Sequence, residues 1–296
     1  MALRSLDNAL PSMAPGRPKK QAKITVSIQK QSDKIAVNDE NLPPTGDAAI
    51  DYISSENLKA LPDPESKIQS LIEDLESKDW TKVCESLNDA RRFALFHSAL
   101  LLPVLEKVIL VVVKAMKNPR SALCKTSIMA SSDIFGAFGD SLLESTPSAA
   151  FDQLLLQLLL KASQDKRFVC EEADRTLNAM VEFMTPLPLL HKLKACVTHA
   201  NLRVRAKAAV SISLCVSKMG LEGMKEYGLA SLMQMAADLL NDRLPEAREA
   251  ARSVIVSIYE GSMKHEEQKQ ESWQEFCQSS LPPIHAQSVV KIVSSH

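Results

Sequence analysis

Apolar residues recur with a helical period over most of this chain. Ile68, Leu71, Ile72 and Leu75 stand at i, i+3, i+4 and i+7, the spacing that puts four side chains on one helix face. Val83, Leu87, Ala90 and Ala94 resume the stripe after a polar break. From about residue 65 onward the pattern is continuous. Pro103, Pro119, Pro147, Pro186, Pro188 and Pro245 fall where helices should begin or stop, because proline lacks the amide hydrogen that a helix interior requires. The run FDQLLLQLLLKA (151–162) reads as a helix buried on several sides. Glycines number 8 and aromatics make up 4%, so turns and strand-forming clusters are scarce and the chain reads as all-α.

The polar breaks align. SKDWTKVCESLNDARRF starts at Ser77, KNPRSALCKTSIMASSDIF at Lys117 and SQDKRFVCEEADRTLNAMV at Ser163. HANLRVRAKAAVSISLCV starts at His199 and NDRLPEAREAARSVIVSIY at Asn241, so the offsets are 40, 46, 36 and 42 residues. Each segment is a short polar turn, a cation or a tryptophan, and then an amphipathic helix with small residues on its buried side. Each is preceded by another apolar helix, such as LASLMQMAADLL (229–240). A two-helix unit at this period is the mark of a HEAT-type solenoid, in which no unit buries its apolar face alone and neighbours share a core. The expected fold is an α-solenoid of about five to six HEAT-type helix pairs. Ala206, Ala208, Ala209, Ala247, Ala250 and Ala251 would let adjacent helices approach closely.

Three regions follow. Residues 1–64 hold seven of the fifteen prolines and no helical period, and are expected to form a disordered arm. Charge is segregated within it: residues 1–35 carry seven cations against two acids, residues 36–66 one cation against seven acids. The basic half, with Arg17, Lys19, Lys20 and Lys23, could touch an acidic partner or be only a solvated tail. Residues 65–262 form the repeat domain. Residues 263–296 are expected to supply a capping helix around Trp273 and Phe276 that covers the end of the solenoid, or else a partner-binding segment.

Charge and chemistry narrow the function. Lys plus Arg is 35 and Asp plus Glu is 36, so no global basic field argues for nucleic acid. The run ALLLPVLEKVILVVV (99–113) is interrupted by Pro103, Glu106 and Lys107, which makes it a poor membrane span and a good buried helix. The N-terminus lacks the apolar run of a secretory signal, and six scattered cysteines without a CxxC fit buried free thiols in a reducing compartment. No phosphate-binding glycine loop occurs, His191, Cys196 and His199 fit no standard zinc spacing, and no nucleophile–base pair stands out. GAFGD (136–140) reads as a helix-ending turn. Neither a catalytic constellation nor a cofactor is expected.

The sharpest feature is the charge at the turns. Arg203, Arg205 and Lys207 crowd the first turns of one helix, where the backbone's partial positive charge disfavours cations. In a solenoid, turns of successive units line one edge. Trp80, Lys82, Asn118, Arg120, Lys166, Arg167, Asn201, Arg203, Arg205, Arg243 and Arg248 would stand along it. An extended acidic partner would offset the penalty, and a tryptophan in a polar turn suits an interface. Ion pairing inside the solenoid, for example Arg248 with Asp242 or Glu249, and packing of Trp80 on its own repeat are the plainer readings.

The ordered set of segments resembles a known family. SKDWTKVCESLNDARRF is similar to the first helix-turn-helix of a TOG domain, and NPRSALCK, DKRFVCEEAD, NLRVRAKAA and PEAREAAR follow in that family's order. The resemblance covers roughly residues 66–260 and is strongest to the CLASP and crescerin group. It implies binding of αβ-tubulin or microtubules through the turn edge and modulation of microtubule dynamics, in the cytoplasm on the microtubule cytoskeleton. It would put Trp80 on the β-tubulin side, with Arg120, Lys166 and Arg167 continuing the surface, and Arg203, Arg205, Arg243 and Arg248 toward α-tubulin. The arm or the tail would be the place for other protein partners. The alternative is a HEAT or armadillo scaffold adaptor that binds a different protein through its concave face.

Overall fold

Each stretch of helical period forms a helix and each polar break a corner. A computed structural model describes residues 52–144 and 149–294, all within one compact unit, Ile50–His296. The expectation for residues 1–51 lies outside the described residues. The first helices of the pairs are α1 (Pro64–Leu75), α4 (Leu105–Met116), α7 (Ala149–Ala162), α9 (Pro186–Lys194), α11 (Leu229–Leu239) and α13 (Lys269–Ser280). Their partners are α2 (Trp80–Phe96), α5 (Ser121–Phe138), α8 (Arg167–Phe183), α10 (Leu202–Tyr227), α12 (Pro245–Ser262) and α14 (Pro283–Ser294). Two four-residue helices, α3 (Ser98–Leu101) and α6 (Ser141–Glu144), lie in the links between pairs. The fold is an all-α solenoid of six helix pairs among the described residues.

Two layers result. α2, α5 and α8 stack in one, continued by α10, α12 and α14, while α1, α4 and α7 stack in the other. The continuous apolar stripes meet between the layers, where Leu71, Leu87, Ile128, Leu154, Leu158 and Val204 are inaccessible to solvent. Ala206, Ala208, Ala209, Ala247, Ala250 and Ala251 are buried, and α10 packs extensively on α12. LLLQLLL buries Leu154, Leu155, Leu158 and Leu159. Among the described residues no helix is long and apolar enough to cross a membrane. The six cysteines are unpaired. Burial pushes the thiols of Cys84 up to about 11 and of Cys215 and Cys277 up to about 12, so they remain protonated and unreactive near neutrality.

Two glycines need their conformations. α10 kinks at Gly220, whose φ of 66° is left-handed, and ends at Gly228 with φ 101°. The kinked extension packs on α12, where Leu221 and Met224 lie against Gly261. Beyond it α11 stands apart from α9, leaving a cleft of about 1010 Å³ between Lys194–Thr198 and Ala230–Leu239. At GAFGD, α5 ends on Phe138, and a side chain at Gly139 would collide with the Phe183 backbone carbonyl.

The ordered fold begins before residue 64, and α12 ends at Ser262. Residues before 64 are structured from 52 onward: Ser55–Asn57 form a 3₁₀ turn and Leu58 is buried. This strap lies over Arg91, which is inaccessible to solvent and pairs with Asp133 on α5 at 2.6 Å. Arg91 also donates to the Ile53 carbonyl at 2.7 Å and to Ser55 Oγ at 3.2 Å, while Ser55 Oγ donates to Asp133 at 2.6 Å. The strap thus closes a buried ion pair that ties the first repeat to the second. At the other end the tail is a full helix pair. Trp273 on α13 is buried and meets Tyr259 of α12 edge-on at 5.2 Å, and α14 packs on both α12 and α13. A single capping helix could not shield an indole and also leave its own apolar side covered; α14 supplies that cover.

Candidate protein-binding edge

Of the corners that open α2, α5, α8, α10 and α12, all but the one before α8 share one design. An Asp or Asn accepts the backbone amide two residues on: Asp79 from Thr81 at 3.0 Å, Asn118 from Arg120 at 2.9 Å, Asn201 from Arg203 at 2.9 Å and Asp242 from Leu244 at 2.9 Å. These bonds satisfy amides that a helix start leaves without a partner. They also fix where the next side chains emerge.

Each corner touches the next. The Arg120 guanidinium lies 4.8 Å from the centre of the Trp80 ring, joining the second corner to the first. Lys166 Nζ is 3.4 Å from Ser121 Oγ, joining the third to the second. Arg203 bonds Asp165 at 2.6 Å and the Ser163 carbonyl at 3.2 Å, joining the fourth to the third. Arg205 bonds Asp242 at 2.9 Å, joining the fourth to the fifth. The five corners therefore stand in one row, although the residues that meet are 37 to 45 positions apart where hydrogen bonds join them.

The crowded cations at the start of α10 face carboxylates of the chain itself. Arg203 faces Asp165, Arg205 faces Asp242, and Lys207 faces Asp174 at 3.0 Å. No outside partner is required to explain them. Arg205 also bonds the His199 carbonyl at 3.0 Å, and Asp242 is almost wholly buried, so this arginine is committed to the corner rather than presented. Burial pushes the Asp242 carboxyl up, but the Leu244 amide and Arg205 outweigh burial and hold it below its ordinary value. Arg248 is spent on the Asp242 and Arg243 carbonyls at 2.8 and 2.9 Å, not on a carboxylate. Arg167 pairs with Glu171 one helical turn along at 2.7 Å. Lys82 pairs with Asp74 at 2.8 Å, and with Lys67 and Ser70 it holds that carboxyl at about 2.

Some cations remain outward. Among the described residues no carboxylate lies in ion-pair range of exposed Lys78, Lys117, Lys166 or Arg243. Trp80 is half-buried and packs against the core with Arg120 over its ring, so its outer part alone is presented. The residue that composition and turn position did not single out is Phe168, the second residue of α8 and 38% exposed. Its signal was present in DKRF, an aromatic directly after two turn cations. His191 stacks on Tyr227 at 5.0 Å, and among the described residues no group of metal-binding side chains comes together.

A row of polar corners along a two-layer helical solenoid is the architecture of a TOG domain. The sequence comparisons agree: residues 95–280 match the CLASP N terminal family, and the chain belongs to it. It is 28% identical over 210 residues to the TOG array regulator of axonemal microtubules protein 1 of Mus musculus, covering 69% of this chain. The chain spans only 12% of the length of that relative. In shape it matches the TOG domain of C. elegans Zyg9 with TM-score 0.58 at 17% identity, covering 81% of this chain and 88% of the other. It matches the MAST/Orbit N-terminal domain with TM-score 0.52 at 16% identity, covering 76% and 95%.

Proposed function

We propose that this domain binds αβ-tubulin, as soluble dimer or in microtubules, through its five-corner edge and so modulates microtubule assembly in the cytoplasm. The observation that carries the reading is the physical continuity of the corners from Trp80 to Arg248, which makes one rigid surface from residues far apart in sequence. TOG domains are the family with this edge, and the mouse relative is named for regulating axonemal microtubules. The outward cations Lys78, Lys117, Lys166 and Arg243, with Trp80 and Arg120, would meet an acidic surface. Lys82, Asn118, Arg167, Asn201, Arg203, Arg205 and Arg248 belong to the same edge but serve chiefly to shape it.

Recognition of this kind forms and breaks no bond; it is complementarity of charge and shape. Charge supplies steering and salt sensitivity, and the indole supplies apolar contact. The test is co-migration of the purified chain with soluble tubulin in size-exclusion chromatography. Trp80→Ala combined with Lys166→Glu should abolish co-migration while the helical circular-dichroism spectrum is kept. Unchanged co-migration would return the protein to the adaptor reading, in which a different partner uses another face.

A further inference from the structure

We propose that Phe168 is a second apolar anchor of the edge, seated at its middle in an apolar recess that carboxylates of the partner surround. This rests on the tubulin reading above and adds a residue to it. Position is the first argument. Phe168 opens α8, so it stands at the third of five corners. Lys166, two residues before it, reaches back to Ser121 of the second corner, and Asp165 accepts from Arg203 of the fourth. Binding energy in protein interfaces concentrates near the centre, on aromatic side chains ringed by polar groups that keep water out.

Orientation is the second argument. α8 buries Val169, Ala173, Thr176, Leu177 and Met180, a stripe at helical spacing. Phe168 is off that stripe. Trp80 is packed against the core, whereas Phe168 is among the exposed large apolar residues, and no aromatic or cationic group contacts its ring among the described residues. Leu95, Phe96 and Phe183 lie at the far ends of α2 and α8, and Ile284, which also opens a helix, stands on α14 beyond the five corners that are joined to one another. The exposed part of the ring is apolar area that a partner would gain by covering.

Surroundings supply the partner's chemistry. Lys166 and Arg167 precede Phe168 at the corner and are exposed; Arg167 pairs with Glu171, so Lys166 is the outward cation nearest in sequence. A complementary surface is therefore apolar at its centre and acidic around it. Phe168 would contribute strength at all ionic strengths, and Lys166 with the other outward cations would contribute the salt-dependent part.

The experiment measures the affinity of the full chain for soluble αβ-tubulin across a range of salt concentrations. Phe168→Ala is expected to weaken binding at least tenfold at every salt concentration. It should leave the slope of log affinity against log salt unchanged, and the melting temperature also, because the ring is not part of the core. Lys166→Ala should flatten the slope instead. Phe168→Leu should recover part of the affinity. If Phe168→Ala binds like the wild type while Trp80→Ala does not, the anchor is refuted and the tubulin reading stands. If the wild type fails to bind tubulin, both fall. If Phe168→Ala instead converts a self-associated wild-type chain to monomer without changing tubulin affinity, the ring belongs to a contact between copies and the proposal is wrong.

Discussion

The two halves of the edge use the same residue types in opposite ways. In the first three corners, neighbours are joined by a guanidinium over an indole and by a lysine on a hydroxyl; Lys82 and Arg167 pair with carboxylates of their own repeats, while exposed Lys78, Lys117 and Lys166 have none in ion-pair range among the described residues. In the last two, neighbours are joined by arginine–aspartate pairs and arginine–carbonyl bonds, and most of the positive charge is consumed. A cation at a helix start is therefore not one signal. It is a binding group where no internal carboxylate meets it, and a strut where one does. The deeper supports differ as well: the first half is clamped by the buried Arg91–Asp133 pair, and the second has no buried counterpart among the described residues.

The largest way to break this contrast is Asp133→Ala. It would leave the Arg91 guanidinium buried without its partner, and losing one member of a buried pair costs about 3–5 kcal/mol. Urea unfolding should show that loss. Arg91→Met with Asp133→Leu should cost clearly less, since neither charge would then be stranded. Next comes Asp242→Ala, which unpins Arg205 and the Leu244 amide and is expected to cost about 1–3 kcal/mol, because it removes bonds to a buried charge. Asp165→Ala removes a pair that is largely in solvent, 90% exposed on the aspartate side, and should cost less than about 1 kcal/mol. Equal costs for Asp165 and Asp242 would erase the distinction between an exposed strut and a buried one.

Acid sharpens the first half. The Asp74 carboxyl is held at about 2 by Lys82, against burial, with help from Lys67 and Ser70. A depressed carboxyl stabilises the fold above its ordinary value of about 3.8 and loses that contribution as pH falls toward 2. Wild type should thus exceed Asp74→Asn in melting temperature by a constant margin above about pH 5, with the margin closing between about 4 and 2. A margin that widened on acidification would have the wrong sign for this network. The smallest effect is expected for Arg167→Ala, whose exposed pair along one helix is screened by water, so the melting temperature should stay within error of wild type.

The fold was legible because it is local. Helical period, proline placement and alanine-lined faces all report on a residue's near neighbours, and in a solenoid each unit meets only the next. The row of corners was legible for the same reason, since equal spacing in sequence becomes equal spacing along one edge. What the cations face was not. Arg203 and Asp165 are 38 residues apart, and Arg205 and Asp242 are 37 apart. No periodicity reveals which arginine will reach a carboxylate on the adjoining corner. The strap at 52–58 was missed because its hold is one buried arginine and two backbone or hydroxyl groups, with no amphipathic pattern of its own. Phe168 was hidden by proximity to Val169, since a phenylalanine beside a core position reads as core.

Asp242 ties together a guanidinium from one corner and an amide from its own, and Arg248 closes onto the same loop. The fourth and fifth corners consequently share a single carboxylate. Losing that one group would reshape both corners at once, so the surface offered at the Arg243 end is set from beneath by a side chain that itself shows little to any partner.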